Sequence, residues 1–140
     1  MAIGKEEMVD LLNLDLELEF SALIQYVQHA AMLTGAAYGD IQKELLIHAT
    51  EEHTHAVSLT DQITKLGGVP GIGVGERHMS SDSETMLEQD LAGEEDAVRR
   101  YKARIRQAEE LQEYGLRRAL EDILIVEEEH RRDLQAALGR

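Results

Sequence analysis

Two glutamates in this 140-residue chain are followed three positions later by histidine: Glu52 by His55, and Glu127 by His130. Residues three apart share a face of an α-helix, so each pair offers a carboxylate and an imidazole to the same point. A lone glutamate precedes each pair at the same distance, 33 residues from Glu19 to Glu52 and 33 from Glu94 to Glu127. Four carboxylates and two imidazoles, with no Lys or Arg at their level, make a ligand set for two divalent metal ions. With 19 Glu and 6 His in the chain, a Glu-x-x-His pair alone is a weak signal. The shared spacing gives it weight. The competing reading places the carboxylates on solvated helix faces and the two histidines in the core as satisfied polar groups.

The neighbours of these residues favour the inward reading. Glu19 is framed at helical spacing by Leu12, Leu16, Leu23 and Tyr26, and Glu52 by Ile41, Leu45, Leu59 and Ile63. Glu94 has Leu87, Leu91, Val98 and Tyr101, and Glu127 has Leu120, Leu124, Leu134 and Leu138. Four ionised carboxylates on apolar stripes cost several kcal/mol each, as an order of magnitude, unless a counter-charge lies among them. Bound cations would supply it.

Four helices are needed to carry these stripes, and the chain is punctuated accordingly. Five of the eleven glycines and the only proline fall in Gly67–Glu76, GGVPGIGVGE, which predicts one long flexible crossover. Smaller breaks at Thr34–Asp40 and at Tyr114-Gly115 split each half, giving expected helices over 5–33, 41–66, 83–113 and 116–138. Asp40 is the expected N-cap of the second helix, and Ser81 with Glu84 reads as a capping box for the third. The segment 12–20 alternates apolar and polar like a half-buried strand. It lacks β-branched residues and runs without a turn into SALIQYVQHAAML, so a helix with two apolar sides is expected. Such a helix needs two partners, its own bundle and a second subunit.

Shifting the sequence by 75 superimposes its halves. Leu12, Asp15, Leu16, Glu19, Ala22 and Tyr26 fall on Leu87, Asp90, Leu91, Glu94, Ala97 and Tyr101; Leu45, Glu52, His55 and Leu59 fall on Leu120, Glu127, His130 and Leu134. Two helical hairpins of one design, related by a pseudo-two-fold axis, are predicted. The fold class is therefore all-α, an antiparallel four-helix bundle with a long crossover between helices 2 and 3, in a single domain over 1–140.

Composition narrows the function. A formal net charge of −14 disfavours nucleic acid and anionic membrane as partners and attracts small cations. The absence of cysteine excludes disulfides, a thiolate nucleophile, iron–sulfur clusters and a four-cysteine rubredoxin site. No run approaches a membrane span and no secretory leader is evident, so a cytoplasmic protein is expected. HATEEHTH at 48–55 contains no His-Glu-x-x-His, which excludes a zincin protease. Gly71-x-Gly73-x-Gly75 lacks the spacing and the lysine of a phosphate loop. His48 falls on the inward side, as a core histidine or an accessory ligand, while His29 and His78 read as surface residues. Arg99, Arg100, Lys102, Arg104 and Arg106 read as a solvated face.

The stretches EFSALIQYVQHA, EEHTHA with ITKLGGVP, MLEQDLAGEE and ILIVEEEHRRDL resemble the ferritin-like di-iron carboxylate proteins, and bacterioferritins in particular. The resemblance implies two iron ions per subunit, with manganese or zinc as possible substitutes. Glu19 and His55 would be terminal ligands of one metal, and Glu94 and His130 of the other, with Glu52 and Glu127 bridging. Tyr26, readable simply as core packing, would be a hydrogen-bond donor beside the site. The implied activity is ferroxidase: Fe(II) oxidised by O2 or H2O2 for storage or detoxification. A rubrerythrin-like peroxidase with an external electron donor, or a non-enzymatic iron carrier, would use the same site. In bacterioferritins haem lies between methionines that follow the bridging glutamate of the second helix. Here His53 holds that position, as an axial ligand or as a solvated or interface histidine, so the methionine that would hold haem is missing. Without the short fifth helix of the large cages, a homodimer is expected rather than a 24-subunit shell.

Overall fold

The computed structural model describes residues 3–140. Four helices account for most of it: α1 Lys5–Met32, α2 Gly39–Lys65, α3 Ser83–Glu110 and α4 Tyr114–Ala137, with a short 3-10 turn Ala36–Tyr38 between α1 and α2. No strand occurs among the described residues. The alternating segment 12–20 is helical throughout, and its two-sidedness is partial. Leu12, Leu16, Glu19 and Tyr26 are buried; Leu11, Leu18 and Leu23 are half-buried, and Leu14 is exposed.

The hairpins α1–α2 and α3–α4 pack most closely within themselves and meet through α1 against α3 and α2 against α4. The apolar core is divided in two. Met8, Leu12, Leu16, Leu59, Ile63 and Tyr101 belong to one cluster, and Tyr26, Leu45, Met86, Leu87 and Leu134 to the other. The six predicted ligand residues are buried polar groups whose helical positions fall between the two clusters.

Three local expectations are corrected. α2 begins at Gly39, so Asp40 lies within its first turn and does not cap it. α3 is capped one residue later than expected: Asp82 Oδ2 accepts from Thr85 N at 2.9 Å and Thr85 Oγ1 at 2.7 Å, so Ser81 and Glu84 form no capping box. The α3–α4 turn falls at 111–113, where Gln112 takes φ 59°, and Gly115 lies inside α4.

The crossover is a strap laid along α1, tied at every fourth residue of that helix. Asn13 binds the carbonyl of Val69 and the amide of Gly71, at 3.1 and 2.7 Å. The carbonyl of Glu17 accepts from Gly75 N at 3.1 Å, and Ser21 Oγ donates to the carbonyl of Glu76. Gln25 Oε1 accepts from His78 N at 2.6 Å, and His29 Nε2 lies 2.9 Å from the carbonyl of His78. The glycine spacing that reads as flexibility is a close-approach pattern. A Cβ on Gly73 would collide with the Glu17 side chain, and one on Gly75 would sit 3.1 Å from Leu18.

Candidate metal centre

All six predicted ligands converge. His55 Nδ1 lies 3.2 Å from Glu52 Oε1, 3.5 Å from Glu127 Oε1 and 3.6 Å from Glu19 Oε2. His130 Nδ1 lies 3.2 Å from Glu127 Oε1, 3.3 Å from Glu94 Oε1 and 3.5 Å from Glu52 Oε1. Glu52 and Glu127 thus face both imidazoles, whereas Glu19 pairs with His55 and Glu94 with His130. Two overlapping donor groups result, Glu19, Glu52, His55, Glu127 and Glu52, Glu94, Glu127, His130, each with its donor atoms within 4.8 Å of one another.

Within the protein alone this cage is under-satisfied. Glu19 Oε2, Glu52 Oε1, His55 Nδ1, Glu94 Oε2 and Glu127 Oε1 are buried without a hydrogen-bond partner, although buried polar atoms are ordinarily paired. Orphaned carboxylate oxygens and an imidazole nitrogen aimed at a common point fit divalent cations of borderline hardness. Metal-free, the two central glutamates favour their protonated forms instead. Burial, then the charges of Glu127 and Glu19, raises the Glu52 pKa well above the ordinary carboxylate value; burial with Glu94 and Glu19 pushes Glu127 up to about 7. Burial would lower His130, but hydrogen bonds to Glu127 and Glu94 outweigh it and push it up to about 11. His55 is raised for the same reason through Glu19. Glu19 itself is lowered, because His55 and Tyr101 outweigh its burial.

The sign of the pH dependence follows. Glu52, Glu127, His55 and His130 bind protons more tightly in the folded chain than in the unfolded one, and Glu19 alone among the five works the other way. Stability of the metal-free protein should fall as pH rises, first through the Glu127 window from 4.5 to about 7, then as His130 loses its proton toward about 11. Thermal melts with and without bound divalent metal should show a steeper decline from pH 5 to 9 without it, since ligation holds the carboxylates ionised over that range. Equal slopes would contradict this.

The repeat organises the surroundings too. Tyr26 donates to Glu94 Oε1 and Tyr101 to Glu19 Oε1, both at 2.5 Å. Burial and the accepting glutamates hold both phenols protonated. Tyr101 therefore stands on the same footing as Tyr26, although the sequence reading gives the donor role to Tyr26 and not to its repeat mate. One turn before each terminal glutamate lies a buried aspartate held from the facing helix. Asp15 binds Arg104 Nε at 2.7 Å, Arg104 Nη2 at 3.0 Å and Arg100 Nη1 at 2.8 Å. Asp90 binds Gln25 at 2.8 Å and His29 Nδ1 at 2.9 Å. Arg100 and Arg104 stand 75 residues after Gln25 and His29.

Two sequence expectations are overturned here. His29 is a fully buried residue, not a surface one, and Arg104, 5% exposed, and Arg100, half-buried, are not part of a solvated face. In both cases a buried aspartate across the helix interface draws the side chain inward. Arg99, Lys102 and Arg106 are exposed as expected, and so is His53. His48 is buried, its ring stacked on His130 at 3.9 Å between centroids. Glu51, which the sequence reading missed, reaches His130 Nε2 at 3.1 Å and holds that ring with Nδ1 facing the cage. The only available signal was its place before Glu52.

A cavity of about 340 Å³ opens between α1 and α3 above the cage. Glu19, Glu52, Glu94 and Glu127 contribute to its wall, together with the small residues Ala22, Gly93 and Ala97; Glu76 and His78 of the strap and Asp96 also line it. Its volume exceeds that of a hydrated divalent cation or of a molecule of O2 or H2O2.

A four-helix bundle with facing carboxylates and two Glu-x-x-His pairs is the arrangement found in ferritin-like di-iron carboxylate proteins. The ferritin-like domain profile matches residues 9–140, and the chain belongs to this ferritin-like family. It is 30% identical over 128 residues to the bacterioferritin of Mycobacterium leprae, covering 91% of this chain and 80% of that protein. It is 31% identical over 114 residues to a bacterial ferritin of Neisseria gonorrhoeae, covering 81% and 74%. Among solved structures, a ferritin-like diiron-carboxylate protein from Bacillus anthracis superposes with TM-score 0.92 at 30% identity, over 99% of both chains. A dodecameric thioferritin from Bacteroides fragilis superposes with TM-score 0.91 at 31% identity, over 98% of this chain and 87% of that one.

Proposed function

We propose that this protein is a ferroxidase that takes two Fe(II) ions per chain as substrate and oxidises them with O2 or H2O2 for storage or detoxification. The observation that carries the reading is the equal access of Glu52 and Glu127 to both histidines, with five cage atoms left unpaired. Glu19 with His55 and Glu94 with His130 are the terminal ligands, and Glu52 and Glu127 bridge. Two Fe(II) give up one electron each and, with two protons, reduce O2 to H2O2 or H2O2 to two waters.

The chain's own groups prepare that transfer. Glu52 and Glu127 release protons as cations enter, and four carboxylates then favour the ferric state, because the added positive charge falls among anions. Tyr26 and Tyr101 hold the terminal carboxylates in place by donating to one oxygen and leaving the other free. The acidic cavity concentrates cations at its mouth. No helix among the described residues is long and apolar enough to cross a membrane, which is compatible with action in the cytoplasm. Exposed Leu46, Ile47 and Val57 on α2 and Val27 on α1 support self-association into at least a dimer.

Anaerobic metal-free protein mixed with rising Fe(II) and then exposed to O2 or H2O2 tests the activity. A fast oxidation phase should saturate at two Fe(II) per chain. A missing fast phase rejects the ferroxidase reading. Continued H2O2 consumption fed by an external reductant would indicate the rubrerythrin-like peroxidase instead.

A further inference from the structure

A second polar cluster lies on the other side of the bundle from the cavity, where α2 meets α4. His48 is fully buried, yet its Nε2 points to the surface, 3.0 Å from Asp133 Oδ2 and 3.9 Å from Glu44 Oε1. The donor atoms of Glu44, His48 and Asp133 lie within 4.8 Å of one another. The two carboxylate side chains are 40% and 42% exposed, so the cluster is closed from below by the imidazole and open to water above.

Packing does not require this arrangement. The residues at offset 75 from Glu44, His48 and Asp133 are Ala119, Ile123 and Ser58, which carry no metal donor of this kind. Ile123, the counterpart of His48, is buried as ordinary core, so the fold accommodates an apolar side chain where the other half places an imidazole. The pseudo-two-fold scaffold thus supports the dinuclear cage on both sides and this cluster on one. The His48 ring also stacks on His130 at 3.9 Å and 21°, one ring's thickness from a residue of the cage.

We propose that Glu44, His48 and Asp133 form a third, mononuclear site for a divalent transition-metal ion at the α2–α4 face. One imidazole and two carboxylates neutralise a dication and leave the remaining positions to water, the pattern of an exchangeable rather than a structural site. The ion replaces the proton on Nε2 and draws Asp133 and Glu44 inward, a rotation that half-exposed side chains make easily. Its place beside His130 gives cations a staging point on the face opposite the cavity. The site does not depend on the ferroxidase reading, since none of its three residues belongs to the cage.

Crystals of the full chain equilibrated with Zn²⁺ and measured at the zinc edge test the proposal. An anomalous peak is expected at about 2.0–2.1 Å from His48 Nε2, flanked by Glu44 and Asp133 oxygens. It should vanish in the Glu44→Gln, Asp133→Asn variant, whose substitutions fall on half-exposed side chains, while peaks in the cage remain. A competition titration should show that variant binding one Zn²⁺ fewer per chain. In the Glu94→Ala, Glu127→Ala variant the peak at His48 should persist, which separates this site from the cage. A wild-type crystal with zinc elsewhere but none at His48, or a peak that survives the double substitution, overturns the proposal.

Discussion

Replacing Glu94 and Glu127 together by alanine should reduce the initial rate of Fe(II) oxidation to that of iron in buffer, a loss of more than about 100-fold. Groups that merely orient a ligand are worth roughly 10–100-fold in affinity or activity, and this pair removes one terminal and one proposed bridging carboxylate outright. The loss should not come from unfolding. In the metal-free chain these carboxylates lie among like charges, and burial with Glu94 and Glu19 already pushes Glu127 up to about 7. Removing both relieves that repulsion but also takes the acceptor from Tyr26 and two partners from His130, so the metal-free variant should stay folded and melt modestly below the metal-free wild type, and added Fe(II) or Zn²⁺ should stabilise it less. Stopped-flow oxidation and thermal melts on the same samples check both halves. Equal oxidation rates would remove the enzymatic claim, and a collapsed melt would show that the carboxylates support the fold rather than the site.

The largest effect on stability should come from Asp15→Ala. Both Asp15 oxygens are engaged by Arg104 and Arg100, and the Asp15 and Arg104 side chains are 0% and 6% exposed. Truncating the aspartate strands a buried guanidinium, which cannot shed its charge, and breaking such a pair costs about 3–5 kcal/mol. That is a large share of the roughly 5–15 kcal/mol by which a domain is stable. The counterpart Asp90→Ala should cost less, because neither of its partners, Gln25 and His29, carries a permanent charge. Denaturant melts of the two variants should rank them in that order. Equal losses would show that the permanent charge on the α3 side is not what sets the cost.

The contrast also shows what a single sequence reveals. The six cage residues were legible because ligand chemistry restricts their types and helical geometry restricts their spacing. The same holds for the offset of 75, which marks Glu19 with Glu94 and Tyr26 with Tyr101. The aspartates Asp15 and Asp90 also match at that offset, yet their partners differ in type, Arg100 and Arg104 against Gln25 and His29. Identity therefore cannot link them, and the sequence alone places Arg104 and His29 on the surface. Such contacts cross helix interfaces and are set by packing, not by local pattern. The strap illustrates the same limit in backbone terms. Glycines at 71, 73 and 75 suit a flexible chain and a close approach equally well, and only the position of Glu17 and Leu18 beneath them decides. At the α3–α4 turn, Gln112 adopts the left-handed conformation that a reader would assign to Gly115.

One diffraction measurement bears most directly on the dinuclear cage. Crystals grown anaerobically with Fe(II) and measured on both sides of the iron edge should show two anomalous peaks about 3.5–4 Å apart. One should lie among Glu19, His55 and the two central glutamates, the other among Glu94, His130 and the same pair. Iron found only on the acidic surface, or a single ion with half of the cage turned away, would contradict the account.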